Sequence, residues 1–168
     1  MAPTTDVDAL VRYADNRRVW LTLGDRFPNP YTRADAQAWI AQCAEQEKPT
    51  HLAIEVGDGP VGGVGFDVLG DVRRLTAEVG YWLGEPFWGR GLATIAARAL
   101  TDYAFENFAL ERLQATVFAW NPASARVMEK AGYTFEGRMR RQIVKDGRIG
   151  DGLVYSRLRS EHEARSRS

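Results

Sequence analysis

The chain has 168 residues, of which 45% are hydrophobic and 26% charged, which suits one globular domain with a sizeable core. Basic and acidic residues each number 22, so there is no net field to attract nucleic acid or an anionic membrane. One cysteine and two distant histidines make neither a disulfide nor a zinc spacing, and no metal is expected. The N-terminus lacks a signal-peptide pattern and no stretch could span a membrane, which predicts a cytoplasmic protein.

The N-terminal part of the chain predicts two helices. A short amphipathic helix, with a second helical turn after it, follows from apolar residues at three- and four-residue spacing: Val7, Leu10, Val11 and Ala14. The prolines of FPNPY end this segment. Thr32 then caps a helix over TRADAQAWIAQCAEQEK. Cys43 falls on the apolar face of that helix and is expected in the core.

Three strands are predicted next. HLAIEV and VGGVGFDVL read as strands separated by GDGP, where Asp58-Gly59 would supply the positive φ of a tight hairpin turn. LTAEVGYWL follows as a strand. The residues that alternate onto one of its faces are Leu75, Ala77, Val79, Tyr81 and Leu83.

The C-terminal half predicts two helices and three strands. Apolar residues at helical spacing run from Leu92 to Tyr103. RLQATVFAW is a strand, and Asn121-Pro122 starts a helix that ends at Gly132. YTFEGRMRRQIVK and RIGDGLVYSRL are strands joined through Asp146-Gly147. An exposed strand face is expected at Arg138, Arg140 and Arg141. Residues 159–168 carry charge without apolar periodicity, which predicts a disordered tail.

The stretch EPFWGRGLATIAARAL places two glycines between a strand and a helix N-terminus. The N–H groups there are unpaired and bind phosphate readily when no side chain blocks the approach. Gly89 and Gly91 remove that obstruction, although a loop that needs unusual φ values would also use glycine. A P-loop is excluded because no lysine and hydroxyl follow the second glycine. The dinucleotide fingerprint needs a small third residue where this chain has Thr94.

Three motifs in order carry a family resemblance: AEVGYWL, then WGRGLA opening a helix, then NPASARVMEKAGYTFEG. Together they resemble the GCN5-related N-acetyltransferase (GNAT) family, most closely its RimJ/RimL-type ribosomal-protein branch, over residues 6–158. The resemblance implies an α+β fold with flanking helices and a mostly antiparallel mixed sheet, splayed between two strands to hold acetyl-coenzyme A. It implies one acetyltransferase domain over residues 1–158. The family's first strand is expected to be missing or very short, because MAPTTDVD shows no apolar alternation.

The resemblance also implies the cofactor site. Amides of residues 89–94 would hold the pyrophosphate, and the edge at residues 81–83 would pair with the pantetheine arm. The implied cofactor-binding residues are Tyr81, Trp82, Leu83, Trp88, Gly89, Arg90, Gly91, Leu92, Ala93, Thr94 and Asn121. Trp88 departs from the family pattern, since relatives usually carry Gln or Arg there.

The implied catalytic residues are Glu78 as general base and Ser124 as the acid that protonates the leaving thiolate. Many relatives place a tyrosine acid where this chain has Met128, and the N-x-x-S pattern of Asn121 and Ser124 takes its place. Without the family pattern, Asn121 would be a helix cap, Ser124 could bond back within its own helix, and Glu78 could be a solvated strand residue.

The expected reaction is direct attack of an amine on the thioester, without a covalent intermediate. A route through Cys43 is disfavoured because nothing near it in the sequence would activate the thiol. The expected acceptor is a protein N-terminal α-amine or, as an alternative, a small molecule of the polyamine or aminoglycoside type. A non-catalytic acyl-coenzyme A sensor is the competing function. A monomer or a homodimer is expected.

Overall fold

The computed structural model describes residues 4–57 and 59–166. In this part of the chain the helices are α1 (Thr4–Ala14), α2 (Arg17–Trp20), α3 (Arg33–Ala44), α4 (Leu92–Asn107), α5 (Pro122–Lys130) and α6 (Arg159–Ser166). The strands are β1 (His51–Val56), β2 (Gly59–Val68), β3 (Thr76–Leu83), β4 (Arg112–Phe118), β5 (Thr134–Lys145) and β6 (Arg148–Leu158). The sheet order is β1-β2-β3-β4-β6-β5.

The sheet is mixed, because β3 pairs with β4 in parallel, whereas β1 with β2, β4 with β6 and β5 with β6 pair antiparallel. The predicted α+β class is thereby confirmed. Of the stretch MAPTTDVD, residues 4–8 lie in α1, and the three residues before them are outside the described part. None of the described helices is both long and apolar enough to cross a membrane.

The chain divides into two compact units. The first contains Met1–Gly65 and Tyr81–Ala93, and the second contains Phe66–Gly80 and Thr94–Ser168. The chain therefore passes between the units within β2, within β3 and in the first turn of α4. A single acetyltransferase domain over residues 1–158 stays a prediction.

In the first unit, α1 and α3 contribute a small apolar core. Its buried members are Val7, Leu10, Ala14, Tyr31 and Ala36, which confirms the predicted inner face of α1. Thr32 caps α3 as predicted, because its hydroxyl accepts from the Asp35 N–H at 3.3 Å while the Asp35 carboxylate accepts from the Thr32 N–H at 2.8 Å.

Cys43 is half-buried rather than part of this core. The prediction of a core position was wrong because Cys43 lies in the last turn of α3, beyond the residues that reach the cluster. Burial is still sufficient to raise the pKa of its thiol.

The two predicted hairpins have different outcomes. The Asp146-Gly147 turn is confirmed, with φ of +50° and +74° between paired Lys145 and Arg148. In the β1–β2 hairpin the positive φ of +66° belongs to Gly57, whereas Gly59 already pairs with Val56. The predicted turn position is therefore wrong for Gly59, which has no positive φ, and Asp58 lies outside the described residues.

In the second unit, burial alternates strictly along β4 and along the first four residues of β3. On β4, Leu113, Ala115 and Val117 are buried, whereas the residues between them are half-buried. On β3, Ala77 and Val79 are buried as predicted, but Leu75 precedes the strand and is 46% exposed. Arg138, Arg140 and Arg141 are exposed on β5, as predicted. The half-buried face of β4 is the one that carries the polar side chains of the site.

The prediction of a disordered tail was wrong for residues 159–166, which form α6, and residues 167–168 lie outside the described part of the chain. Arg159 opens this helix, and its guanidinium donates to the backbone carbonyls of Phe105 at 2.9 Å, Phe108 at 2.8 Å and Leu110 at 2.7 Å. Carbonyls at and just after a helix C-terminus lack intrahelical partners, and a cation satisfies them. The charge of this segment, which reads as disorder in sequence, is used to dock it on the end of α4.

Arg159→Met should lower the free energy of unfolding by about 1–3 kcal/mol, because three charge-assisted hydrogen bonds are lost. Urea denaturation followed by circular dichroism measures the change. Arg126→Met, at an exposed position of α5, is the matched control and should change stability by less than about 0.5 kcal/mol. Equal stability of the two variants would contradict the docking role of Arg159.

Candidate active site

The parallel pairing of β3 with β4 is short. It runs from Thr76 opposite Arg112 to Glu78 opposite Gln114, and both strands continue beyond that register. Backbone groups past the end of a ladder need other partners. Glu78 stands at this end of the ladder, on the half-buried face.

The Glu78 carboxylate takes up donors from β4. Its Oε1 accepts from the backbone N–H of Thr116 at 3.2 Å and from the Thr116 hydroxyl at 3.1 Å. Its Oε2 accepts from the Gln114 amide at 2.7 Å. A carboxylate offers about four lone-pair sites, so the described partners leave one site on Oε2. Glu78 is therefore held rigidly and is not the freely solvated strand residue that the alternative interpretation supposed.

A chain of polar contacts continues from Gln114 across the sheet. Arg112 Nε donates to the Gln114 side-chain oxygen at 3.0 Å. The Arg112 guanidinium also donates to both oxygens of Glu136, at 2.7 and 2.6 Å. Ser156 donates to the same carboxylate at 2.6 Å. The contacts thus link side chains of β3, β4, β5 and β6.

These contacts shift the pKa values of Arg112 and Glu136. Hydrogen bonds from Arg112 and then Ser156 lower the pKa of Glu136 to about 2. The hydrogen bond to Glu136 in turn raises the pKa of Arg112. The sequence did not single out Arg112, Gln114, Thr116 or Glu136. The usable signal was the alternation in RLQATVF, which puts three polar side chains on the face opposite the buried ones.

In the first unit, the loop before α4 has the open backbone that the glycines predict. Gly89 and Gly91 have φ of +74° and +76°, and a Cβ added to either would meet nothing within 4 Å. None of the backbone N–H groups of residues 89–94 donates to a backbone carbonyl in the turns, loops and caps of the described chain. The glycines therefore serve the unusual φ of the loop and also leave the approach to its N–H groups open. A phosphate could bind through that open approach.

Trp88 pins this loop to the end of β3. Its indole N–H donates to the Leu83 carbonyl at 2.7 Å, which leaves the side chain no donor for a phosphate. Arg18 lies 5.6 Å from the centre of the indole ring and forms an ion pair with Glu85. The Arg90 guanidinium lies over the Phe87 ring, 5.4 Å from its centre. A structural role thus accounts for the departure from Gln or Arg at position 88.

The start of α5 is capped as predicted. The Asn121 side-chain oxygen accepts from the Ser124 N–H at 3.3 Å, so the capping interpretation of Asn121 is confirmed. Ser124 is half-buried. Met128 is completely buried and belongs to the core of the second unit.

The candidate residues fall into both units. The first unit carries Tyr81–Leu83 and Trp88–Ala93, which the indole of Trp88 ties together. The second unit carries Glu78, Thr94, Asn121 and Ser124. There, Glu78 contacts β4, and Asn121 follows the end of that strand.

Comparison with known proteins identifies the family. A model described as "Acetyltransferase (GNAT) domain" matches residues 1–134. The chain belongs to the GNAT acetyltransferase family. The resemblance drawn from the three sequence motifs is thereby confirmed.

Two curated relatives of this GNAT chain are similar over part of their length. The N-acetyltransferase p20 of Bacillus licheniformis, itself uncharacterized, is 32% identical over 111 residues, which are 66% of this chain and 62% of p20. The ribosomal-protein-serine acetyltransferase of Escherichia coli (strain K12) is 28% identical over 101 residues, which are 60% of this chain and 56% of that protein. The chain thus spans less than two thirds of the length of these relatives.

Solved structures share the GNAT fold along nearly the whole chain. The ribosomal L7/L12 α-N-protein acetyltransferase RimL, in complex with coenzyme A, has a TM-score of 0.79 at 20% identity and covers 95% of this chain and 92% of its own. The spermidine N-acetyltransferase of Vibrio cholerae, in complex with coenzyme A and spermine, has a TM-score of 0.76 at 18% identity, with coverages of 96% and 94%. At these identities the likeness concerns the fold alone.

The lowered pKa of Glu136 predicts how the contribution of the Arg112–Glu136 pair to stability changes in acid. Because the folded pKa of about 2 lies below the unfolded value of about 4.3, the pair stabilises the fold fully above that unfolded value. This contribution is lost as the pH falls towards 2. The difference in denaturation midpoint between the parent and Glu136→Gln should therefore be constant from about pH 7 to 5 and shrink below it. A difference that does not change with pH would contradict this ionisation.

Proposed function

We propose that this protein transfers the acetyl group of acetyl-coenzyme A to a primary amine by direct attack, with a protein N-terminal α-amine as acceptor. The proposal depends on the position and the hydrogen bonds of the Glu78 carboxylate. This carboxylate stands where the pairing of β3 with β4 ends, its three hydrogen bonds hold it in one orientation, and one site on Oε2 remains to receive a proton.

The residues proposed to hold acetyl-coenzyme A are on β3 and at the start of α4. The N–H groups of residues 89–94 suit a pyrophosphate, because a helix N-terminus carries partial positive charge and glycine leaves the approach clear. The edge of Tyr81 and Trp82 would pair with the pantetheine arm. Leu83 would contribute less than predicted, since its carbonyl already accepts from Trp88. The cosubstrate supplies an activated acyl thioester.

The protein's own chemical task is to position the amine and remove its proton. An ammonium has no lone pair for attack, so a base must take a proton from it directly or through one water. Glu78 suits this role, because its free lone pair has a fixed direction, whereas a solvated carboxylate would have to be ordered first. Ser124, at the N-terminal turn of α5, is proposed to return a proton to the departing thiolate.

A covalent route through Cys43 has little support. A thiol nucleophile reacts as the thiolate and needs a lowered pKa. Burial raises the pKa of Cys43 instead. Direct transfer needs no such group, so Cys43 is proposed to have no chemical role.

The choice of acceptor is supported by similar proteins whose names specify ribosomal substrates, namely a ribosomal-protein-serine acetyltransferase and RimL. A spermidine acetyltransferase has the same fold with a comparable TM-score, so the fold does not select between a protein α-amine and a polyamine. A panel of N-terminal peptides and polyamines, followed by release of free coenzyme A thiol, distinguishes them. Tight binding of acetyl-coenzyme A without turnover of any amine would instead favour a sensor.

Gly91→Val should weaken coenzyme A binding much more than it weakens the fold, because a branched side chain would stand in the open approach to the N–H groups. Gly147→Val is the matched control, since Gly147 has a φ of +74° and equally open surroundings but lies in the β5–β6 turn. In the parent and in Gly147→Val, coenzyme A at one hundred times its Kd should stabilise the fold by about 2.7 kcal/mol. Thermal shift and calorimetry measure both effects. Equal affinities of the two variants would make the Gly89–Gly91 loop purely structural.

Glu78→Gln should lower turnover by about 10²–10⁴-fold, because the amide keeps the shape but cannot take a proton. Affinity for acetyl-coenzyme A should stay within about twofold. Higher pH should restore part of the rate, since more of the amine is then neutral. Glu106→Gln, at an exposed position of α4, is the control and should behave like the parent. Turnover of Glu78→Gln at the parent rate from about pH 6 to 9 would remove Glu78 as the base.

A further inference from the structure

Gln114 donates to Oε2 of Glu78. This is the oxygen that is proposed to take the proton of the acceptor amine. Thr116 fills Oε1 with two donors, and Gln114 occupies one site on Oε2 at 2.7 Å. Together with Thr116, Gln114 therefore fixes the plane of the carboxylate, and with that plane the direction of the remaining Oε2 lone pair.

The orientation of the Gln114 amide is itself determined by its neighbours. Arg112 Nε is a donor only, so the group that faces it at 3.0 Å must be the side-chain oxygen of Gln114. The amide NH₂ then faces Glu78, which as a carboxylate only accepts. A reversed amide would place two donors against each other and two acceptors against each other.

Arg112 is held in place by a planar, two-point contact. Both of its terminal nitrogens donate to Glu136, and Ser156 donates to the same carboxylate. Bidentate arginine–carboxylate contacts impose a geometry that a single hydrogen bond does not. The fixed guanidinium plane therefore transmits its orientation to Gln114 and through it to Glu78.

We propose that Gln114, oriented by the Arg112–Glu136 pair, is a positioning residue that aims the free lone pair of Glu78 at the acceptor amine. This proposal rests on the proposed function, in which Glu78 is the base. Gln114 acts on the reaction only through Glu78. Its loss should therefore reduce kcat without changing the affinity for acetyl-coenzyme A.

A double-mutant cycle tests this role, because a residue that acts only through Glu78 has nothing left to position once Glu78 is replaced. Thiol release is measured for the parent, Gln114→Leu, Glu78→Gln and the double variant with the fastest amine of the panel. Gln114→Leu should lower kcat by up to about 10²-fold in the parent. In the Glu78→Gln background it should cost less than about twofold.

Gln114→Glu keeps an acceptor for Arg112 and serves as the second variant should Gln114→Leu fold poorly. It puts an acceptor where Glu78 needs a donor, and it should lose kcat while its affinity for coenzyme A stays at the parent value. Equal losses from Gln114→Leu in both backgrounds, or a parent-like kcat of Gln114→Glu, would overturn the positioning role alone. A parent protein that turns over no amine would instead overturn the proposed function, and this inference with it.

Discussion

The end of the β3–β4 ladder is the constraint on which the candidate site depends. Two parallel strands stop exchanging backbone hydrogen bonds after Glu78 and Gln114 although both continue. The next backbone donor, the N–H of Thr116, would be left without a partner in a half-buried position, at a cost of roughly 1–3 kcal/mol. The Glu78 side chain accepts from it instead. One carboxylate thus closes the ladder and stays available for chemistry.

The polar chain beyond Gln114 is better explained by orientation than by stability. The Arg112 and Glu136 side chains are 25% and 41% exposed, and ion pairs at such surfaces typically contribute only about 0–1 kcal/mol. Their two-point geometry nevertheless restricts the direction of the guanidinium. A small energetic contribution and a large effect on geometry are what a supporting contact for a reactive group requires.

Periodicity and turn chemistry predicted most elements from sequence. The Asn121 cap, the Thr32 cap and the Asp146-Gly147 turn follow from local preferences that act over a few residues, and the structure confirms them. The glycine loop and the family also followed from contiguous motifs. Long-range contacts account for the failures. The tail is helical because Arg159 finds the carbonyls at the end of α4, some fifty residues earlier in the chain.

The same distinction between local preferences and long-range contacts applies to the candidate site. Glu78 could be named from the sequence because it belongs to a motif, whereas Gln114 and Thr116 could not, since only the register of two distant strands brings them to it. Likewise, Trp88 looked like a departure from a phosphate-binding pattern until its indole was found on the carbonyl of Leu83. The role of a side chain whose partners lie in other elements can be inferred only when the fold is known.

One lone pair of Glu78, left free by Thr116 and Gln114, is proposed to receive the proton of the acceptor amine. The most direct measurement is a crystal structure of the protein with a bisubstrate analogue, in which the amine that turns over fastest is joined covalently to coenzyme A. With Glu78 as the base, we expect the amine nitrogen about 2.6–3.2 Å from Glu78 Oε2, or one water away, with Thr116 still donating to Oε1. An amine nitrogen bound to another group, with Glu78 out of its reach, would contradict it.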